Sequence, residues 1–158
     1  RHSHIFNKNN NSDKQNWELS KKKAKNRESV LDGIPKSLPS LVTSERLQDK
    51  SAQVGFEWEN YQDVIDKIYE ELEELKLGIK KKDQDNIEEE IGDILIGLVN
   101  LSRFLNVSAE VAMQKSNRKF YQRFTKMEKL IESDNKEIDK LPLEELDNYW
   151  NKVKDEER

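Results

Sequence analysis

Between Tyr61 and Ile79 the apolar residues Tyr61, Val64, Ile65, Ile68, Leu72, Leu75 and Ile79 recur at steps of three and four. That spacing lines one stripe of an α-helix and fits no single face of a strand. The same rhythm returns along most of the chain, and no segment alternates apolar and polar residues in the sustained way of a strand. Helices are expected over about 39–54, 60–81, 84–105, 108–133 and 143–155. Ser108 reads as an N-cap, Pro142 precedes the last helix, and the polar run KKKDQD makes the turn between the second and third. Short turns make neighbouring helices antiparallel. The fold class is all-α, an antiparallel helical bundle.

Composition sharpens this. Charged residues make up 38% of the chain and apolar ones 34%, so the apolar residues must be concentrated in some segments and scarce in others. Residues 1–37 are the scarce part: an Asn/Lys/Ser-rich run, a basic patch and one of the three prolines, Pro35. An extended arm is expected there, with a short helix around 16–25, followed by a helical domain over 38–158. His2 and His4 lie in the arm and are not read as metal ligands. The net charge of −4, with acids and bases interspersed, argues against a nucleic-acid footprint. With no cysteine, disulfides and thiolate metal sites are excluded. No apolar run reaches the roughly 18 residues of a membrane span, so a cytoplasmic protein is expected. The chain starts at Arg1 without an initiator methionine, which suits a piece of a longer protein.

The stretch EEEIGDILIGLVN (88–100) then poses a chemical question. Ile91, Ile94, Leu95 and Leu98 read as a core stripe, yet Glu90 and Asp93 sit beside it. Charges usually stay out of such a seam unless paired or bound to a metal. Projected at 100° per residue, Glu71 and Glu74 flank the stripe of the preceding helix together with Lys67. Glu90, Asp93 and Gly97 flank the stripe of the next. Gly97 costs about 1 kcal/mol against alanine in a helix, so a close approach at that point is expected. Across an antiparallel pair the four carboxylates can face one another. Two readings follow: a solvated acidic face, or a site for a hard cation. An oxygen-only donor set favours Mg²⁺, or Mn²⁺, over zinc.

The wording of these motifs carries a resemblance. KIYEELEEL (67–75) followed by EEIGDILIGLVNLSRFL (89–105) resembles the EExxE…ExxD signature of the MazG family of nucleoside triphosphate pyrophosphohydrolases. SLPSLVTSERLQDKSAQVGFEW, SNRKFYQRF and LPLEELDNYWNKVK resemble that family's first helix with its GFxW turn, a later helix and the closing helix. RHSHIF and SVLDGIPKSLP resemble the inter-domain segment of its two-domain members, with Ser3 where proline is usual. The resemblance thus covers nearly the whole chain and points to the second domain of such a protein, with 1–37 as the inter-domain segment. It implies an all-α, dimeric, Mg²⁺-dependent enzyme that converts an NTP or dNTP to its monophosphate and pyrophosphate. It implies Glu71, Glu74, Glu90 and Asp93 as metal ligands, with Lys67, Glu70 and Glu89 around them. Lys119 and Arg123 match the family's phosphate-side cations, and Trp150 its aromatic near the substrate.

The residues themselves allow plainer roles beside these. Lys119 and Arg123 stand at i, i+4, a spacing that grips a polyphosphate but also suits solvated helix charges. Trp150 can stack on a base or simply pack. Glu70, with Glu71, is the candidate for orienting or deprotonating the attacking water. No GxxxxGK[ST] loop is present, so phosphates would be held by metal and cations. Apolar surface left over by so polar a bundle points to a homodimer. The competing function is non-enzymatic: a helical interaction module, or a regulatory nucleotide binder.

Overall fold

A computed structural model describes residues 3–158, with side chains at 13 and from 15 onward. His2 and the side chain of His4 lie outside the described residues. The described residues form six α-helices and one 3₁₀ turn: α1 (Ser3–Ala24), α2 (Ser40–Gln53), α3 (Tyr61–Lys81), α4 (Gln84–Phe104), α5 (Ala109–Ser133) and α6 (Leu143–Glu156), with the 3₁₀ turn at Ile138–Lys140. Five of the six follow the apolar periodicity to within two residues at each end. The exception is α1. The expected extended arm is instead a 22-residue helix, for which the sequence has almost no apolar stripe. Its visible anchors are polar: Glu18 is buried with Lys50 of α2 at 3.6 Å, and Gln15 Nε2 donates to the Val54 carbonyl at 3.2 Å. Hydrophobic periodicity cannot report such a docking.

The chain divides into two compact units, Arg1–Glu110 and Val111–Arg158. In the first, α3 and α4 form a hairpin, α2 packs on α4, and α1 on α2. Asn60 caps α3, its Oδ1 accepting from the Asp63 N–H at 3.0 Å, and Asp83 caps α4 by accepting from the Asn86 N–H at 3.2 Å. Between them Lys82 takes a left-handed conformation, φ 55°, and the Asp83 N–H reaches back to the Gly78 carbonyl at 3.1 Å. A Cβ on Gly78 would collide with Asn86 of α4, so glycine allows the tight approach at this end of the hairpin.

The core of the hairpin is not the expected one. Ile91, Leu95 and Leu98 are 46, 50 and 46% exposed, whereas Val64, Val99 and the two acids Glu71 and Glu90 are buried. Along α3 the buried residues are Val64, Glu71 and Gly78, seven apart each time. This heptad is the seam against α4. The leucine-rich stripe of α4 was expected inside because it is the more apolar face; the hairpin turns it outward.

In the second unit α5 and α6 enclose an apolar cluster of Met127, Ile131, Tyr149 and Val153. The Tyr149 hydroxyl donates to Asp134 Oδ2 at 2.5 Å, which satisfies the one polar atom that tyrosine brings inside. No single helix among the described residues is long and apolar enough to cross a membrane.

Candidate metal centre

The α3–α4 seam brings carboxylates together. One oxygen each from Glu71, Glu90 and Asp93 lies within 4.8 Å of the others. Glu71 and Glu90 are 8 and 7% exposed, and Asp93 is open to solvent. Glu74, one turn beyond Glu71 and half-buried, is outside this closest group, but its charge reaches both Glu71 and Glu90.

Crowding distorts the titration of the pair. A hydrogen bond shared with Glu71, then burial, then the negative charges of Glu71 and Glu74 push the Glu90 carboxyl up to about 7. The same shared proton pulls Glu71 below the ordinary carboxylate value, helped by Lys67, while burial opposes it. Lys67 Nζ lies 3.2 Å from Glu71 Oε1 and 3.5 Å from Glu70 Oε1. Its pKa rises chiefly through the Glu71 bond. With both acids ionised, however, Glu71 Oε2 and Glu90 Oε2 are buried without a hydrogen-bond partner. Two orphaned carboxylate oxygens in a seam are expensive unless something positive meets them. Their chemistry, all oxygen and partly rigid on helices, fits a hard divalent cation.

The cluster borders a cleft of about 320 Å³ that also includes Lys67, Ile68, Gly97 and Asn100. Gly97 has the close approach its helical cost implied: a Cβ there would stand 2.9 Å from Ile68 Cγ1. Glu70 and Glu89 are exposed on the outer sides of their helices. The seam thus brings Glu71, Glu90 and Asp93 together with Glu74 and Lys67 beside them, while Glu70 touches only Lys67 and Glu89 is exposed.

Lys119, Arg123 and Trp150 belong to the second unit. Lys119 is exposed. Arg123 is held by Glu157 in a fork, Nε at 3.1 Å from both carboxylate oxygens and Nη2 at 2.8 Å from Oε2. That pair raises the arginine's pKa and lowers the glutamate's. Trp150 is half-buried, packed on the core cluster with its ring 5.5 Å from that of Phe120.

Two residues of the first unit had no role assigned from sequence: Trp58 and Asn100 both line the cleft beside Glu71 and Asp93. Asn100 could have been found, because it follows Asp93 by seven positions and so shares its helix face.

The sequence is also similar to known proteins over most of its length. Residues 59–129 match the sequence model of the MazG nucleotide pyrophosphohydrolase domain. The chain is similar to the nucleoside triphosphate pyrophosphohydrolase/pyrophosphatase MazG of Thermotoga maritima, 44% identical over 156 residues, which covers 98% of this chain and 60% of that protein. It is similar to the nucleoside triphosphate pyrophosphohydrolase of Escherichia coli K12, 37% identical over 166 positions, covering 99% of this chain and 63% of the relative. The uncharacterized protein YabN of Bacillus subtilis is 38% identical over 165 positions, 100% of this chain and 34% of its own length. The chain thus spans about three fifths of the first two relatives.

Proposed function

The chain belongs to the MazG family through residues 59–129, and on that premise we propose that it is a nucleoside triphosphate pyrophosphohydrolase. It would cleave the α–β phosphoanhydride of an NTP or dNTP to a nucleoside monophosphate and pyrophosphate. The observation that carries this reading is the convergence of Glu71, Glu90 and Asp93, with buried, unpartnered oxygens on the first two. A solvated acidic face has no reason to bury the acids more deeply than the leucines beside them.

Glu71, Glu74, Glu90 and Asp93 would hold Mg²⁺, with Mn²⁺ an acceptable substitute. When bound, the ion neutralises phosphate oxygens and lowers the pKa of the attacking water. The residues of the chain supply the rest. Asp93, on the open side, meets the substrate edge of the centre. Lys67 fixes Glu71 in one rotamer through its 3.2 Å contact and holds Glu70 nearby. Glu70, exposed and one residue from Glu71, is the group we assign to orient the water and accept its proton. Lys119 and Arg123 offset charge on the departing pyrophosphate. Lys119 bears more of this role, because Arg123 already shares its charge with Glu157. We further propose that residues 1–37 correspond to an inter-domain segment, that the protein works in the cytoplasm, and that nucleic acid is not its partner.

A second copy of the chain is the partner we assign to the exposed stripe of Ile91, Leu95 and Leu98 on α4, with Leu72 and Ile79 also exposed on the adjoining α3. Exposed apolar residues in such number mark an interface.

The direct test supplies each NTP and dNTP with Mg²⁺ and identifies the products. Monophosphate with pyrophosphate is expected. Release of orthophosphate instead, or no turnover with either Mg²⁺ or Mn²⁺, would leave the interaction-module reading in its place. Lys119→Ala should lower kcat/KM by roughly ten- to a hundredfold, as expected for one charge-assisted contact. Unchanged kinetics would return Lys119 to the solvated helix surface.

A further inference from the structure

We propose that the cleft between α2, the 54–60 turn and α4 receives the nucleobase, with Trp58 stacking on the ring and Asn100 and Gln48 reading one hydrogen-bonding edge. The proposal rests on the reading of the substrate as a nucleoside triphosphate and adds where the nucleoside end goes.

The cleft measures about 490 Å³ and is walled by Phe56, Trp58 and Ile96, with Gln48, Asn100 and Arg103 among its polar residues. Its volume lies within the roughly 300–1,000 Å³ of small-molecule sites, and an apolar wall with a few placed polar groups is their usual make-up. It adjoins the metal centre: Trp58, Ile96 and Asn100 line both this cleft and the one holding Glu71 and Asp93. Asn100 stands two turns from Asp93 on one face of α4, about 10 Å of helix rise. A ligand anchored by its phosphates at the acids therefore extends its other end into the cleft.

The two amides are fixed in opposite senses. Arg103 Nη1 donates to Asn100 Oδ1 at 2.6 Å. A guanidinium has only donors, so the amide must present its oxygen there and turn its NH₂ elsewhere. Arg103 is itself clamped by Asp49 at 2.7 Å and Glu57 at 3.1 Å. Gln48 Nε2 donates to Ser44 Oγ at 3.0 Å and to the Ile96 carbonyl at 3.4 Å. A carbonyl only accepts, so the Gln48 oxygen is the outward atom. The cleft thus offers one donor and one acceptor beside an aromatic plane. Each nucleobase has an edge on which a donor neighbours an acceptor, and a polyphosphate has none. Trp58 is 45% exposed, so its ring has a face to offer, whereas the ring of Trp150 is engaged by Phe120.

The test uses the full chain with Mg²⁺ and measures kcat/KM for ATP, CTP, GTP and UTP, and the inhibition constant of inorganic triphosphate. Asn100→Leu removes the amide donor without adding charge, while Arg103 stays clamped by Asp49 and Glu57; Trp58→Ala removes the plane, and Trp58→Phe restores part of it. Both losses should lower kcat/KM by roughly five- to a hundredfold, as for loss of one stacking or polar contact to a base. Inhibition by inorganic triphosphate should not move, and Trp58→Phe should recover most of the rate. Variants that match wild type on all four nucleotides would overturn the cleft while leaving the activity standing. Equal loss toward inorganic triphosphate would also overturn it, since the residues would then be acting on the fold. If the wild type turns over no nucleotide, the activity reading fails first and AMP decides the cleft. A shift of the Trp58 indole NMR signal on adding AMP supports the site, and no shift removes it.

Discussion

The α5–α6 hairpin buries Met127, Ile131, Tyr149 and Val153, while the α3–α4 hairpin buries Val64 and Val99 beside Glu71 and Glu90. Both are helix pairs with amphipathic sequences, yet only the first puts its most apolar face inside. The second closes on a heptad of valine, glutamate and glycine and leaves Ile91, Leu95 and Leu98 half in water. Such a seam places the acids rigidly on two helices, as the metal centre we propose would need. On that reading the contrast separates a hairpin that holds its unit together from one that holds a site.

Exchanging the perturbations tests that contrast most severely. Glu71→Gln should reduce turnover by more than the roughly 10–100-fold typical of losing a contact that merely supports a metal ligand. The thermal midpoint of the metal-free protein should change little, because the isosteric amide can still accept from Lys67 and from the Glu90 carboxyl. Ile131→Ala in the other hairpin should do the reverse. It removes a side chain that is 1% exposed and should cost about 2–5 kcal/mol of stability. Calorimetry and Mg²⁺-dependent pyrophosphate release measure both. If Glu71→Gln unfolds the protein and Ile131→Ala leaves stability unchanged, the two hairpins have been assigned the wrong way round.

Assembly comes next in size. Leu95→Lys places a charge at the centre of the outward stripe, where leucine is 50% exposed in the single chain. Sedimentation at micromolar concentration should show a dimer for the wild type and a monomer for the variant. Two monomers would mean that the stripe is covered by something other than a second copy.

The sequence made the helices legible because five of them carry an apolar rhythm, and α1 escaped because polar contacts such as Glu18 with Lys50 dock it. The acid cluster was legible as spacing. Its burial was not: a projection ranks faces by hydrophobicity, whereas the seam buries Glu71 and Glu90 and leaves Ile91, Leu95 and Leu98 half in water. For the same reason Ile91 and Leu98 were expected inside. The 54–60 turn stood out as a motif, but Gln48 of α2 and Asn100 of α4 line one cleft only because the fold brings them there. Arg123 shows the opposite limit, since its spacing from Lys119 gave no sign of the fork with Glu157.

The pH response should also divide the hairpins. Glu90 is pushed up to about 7 from an ordinary 4.5, so between those values the folded, metal-free protein binds a proton that the unfolded chain releases. Its stabilising contribution is full below about 4.5 and is lost as pH rises through about 7. Glu71, shifted downward, acts only on the acid side and in the opposite sense. An incoming cation must displace the Glu90 proton, so Mg²⁺ or Mn²⁺ affinity should climb about tenfold per pH unit below 7 and level off above it. Titration calorimetry in two buffers of different ionisation heat should register close to one proton released at pH 6. Glu74→Gln removes one of the charges that raise Glu90 and should move the inflection to lower pH. Affinity that is flat from pH 5.5 to 7.5 would disconnect the cluster from metal.

The smallest effect belongs to the polar bond that the apolar cluster makes through Tyr149. Tyr149 is buried, and its hydroxyl meets Asp134 at 2.5 Å, a contact that raises the tyrosine's pKa first through that bond and then through burial. Tyr149→Phe keeps the ring and its packing against Ile131 and Val153 and deletes only the donor. Asp134 is exposed and can turn to water, so no buried acceptor is stranded. The cost should therefore stay near the roughly 0.5–1.5 kcal/mol net value of an ordinary hydrogen bond. Asp134→Asn retains an acceptor and should cost less. Because Tyr149 is assigned no part in the chemistry, the Mg²⁺ dependence of turnover should be that of the wild type. A loss of turnover without a matching loss of stability would show that the second hairpin does more than hold its unit together, and the division drawn from the two cores would have to be abandoned.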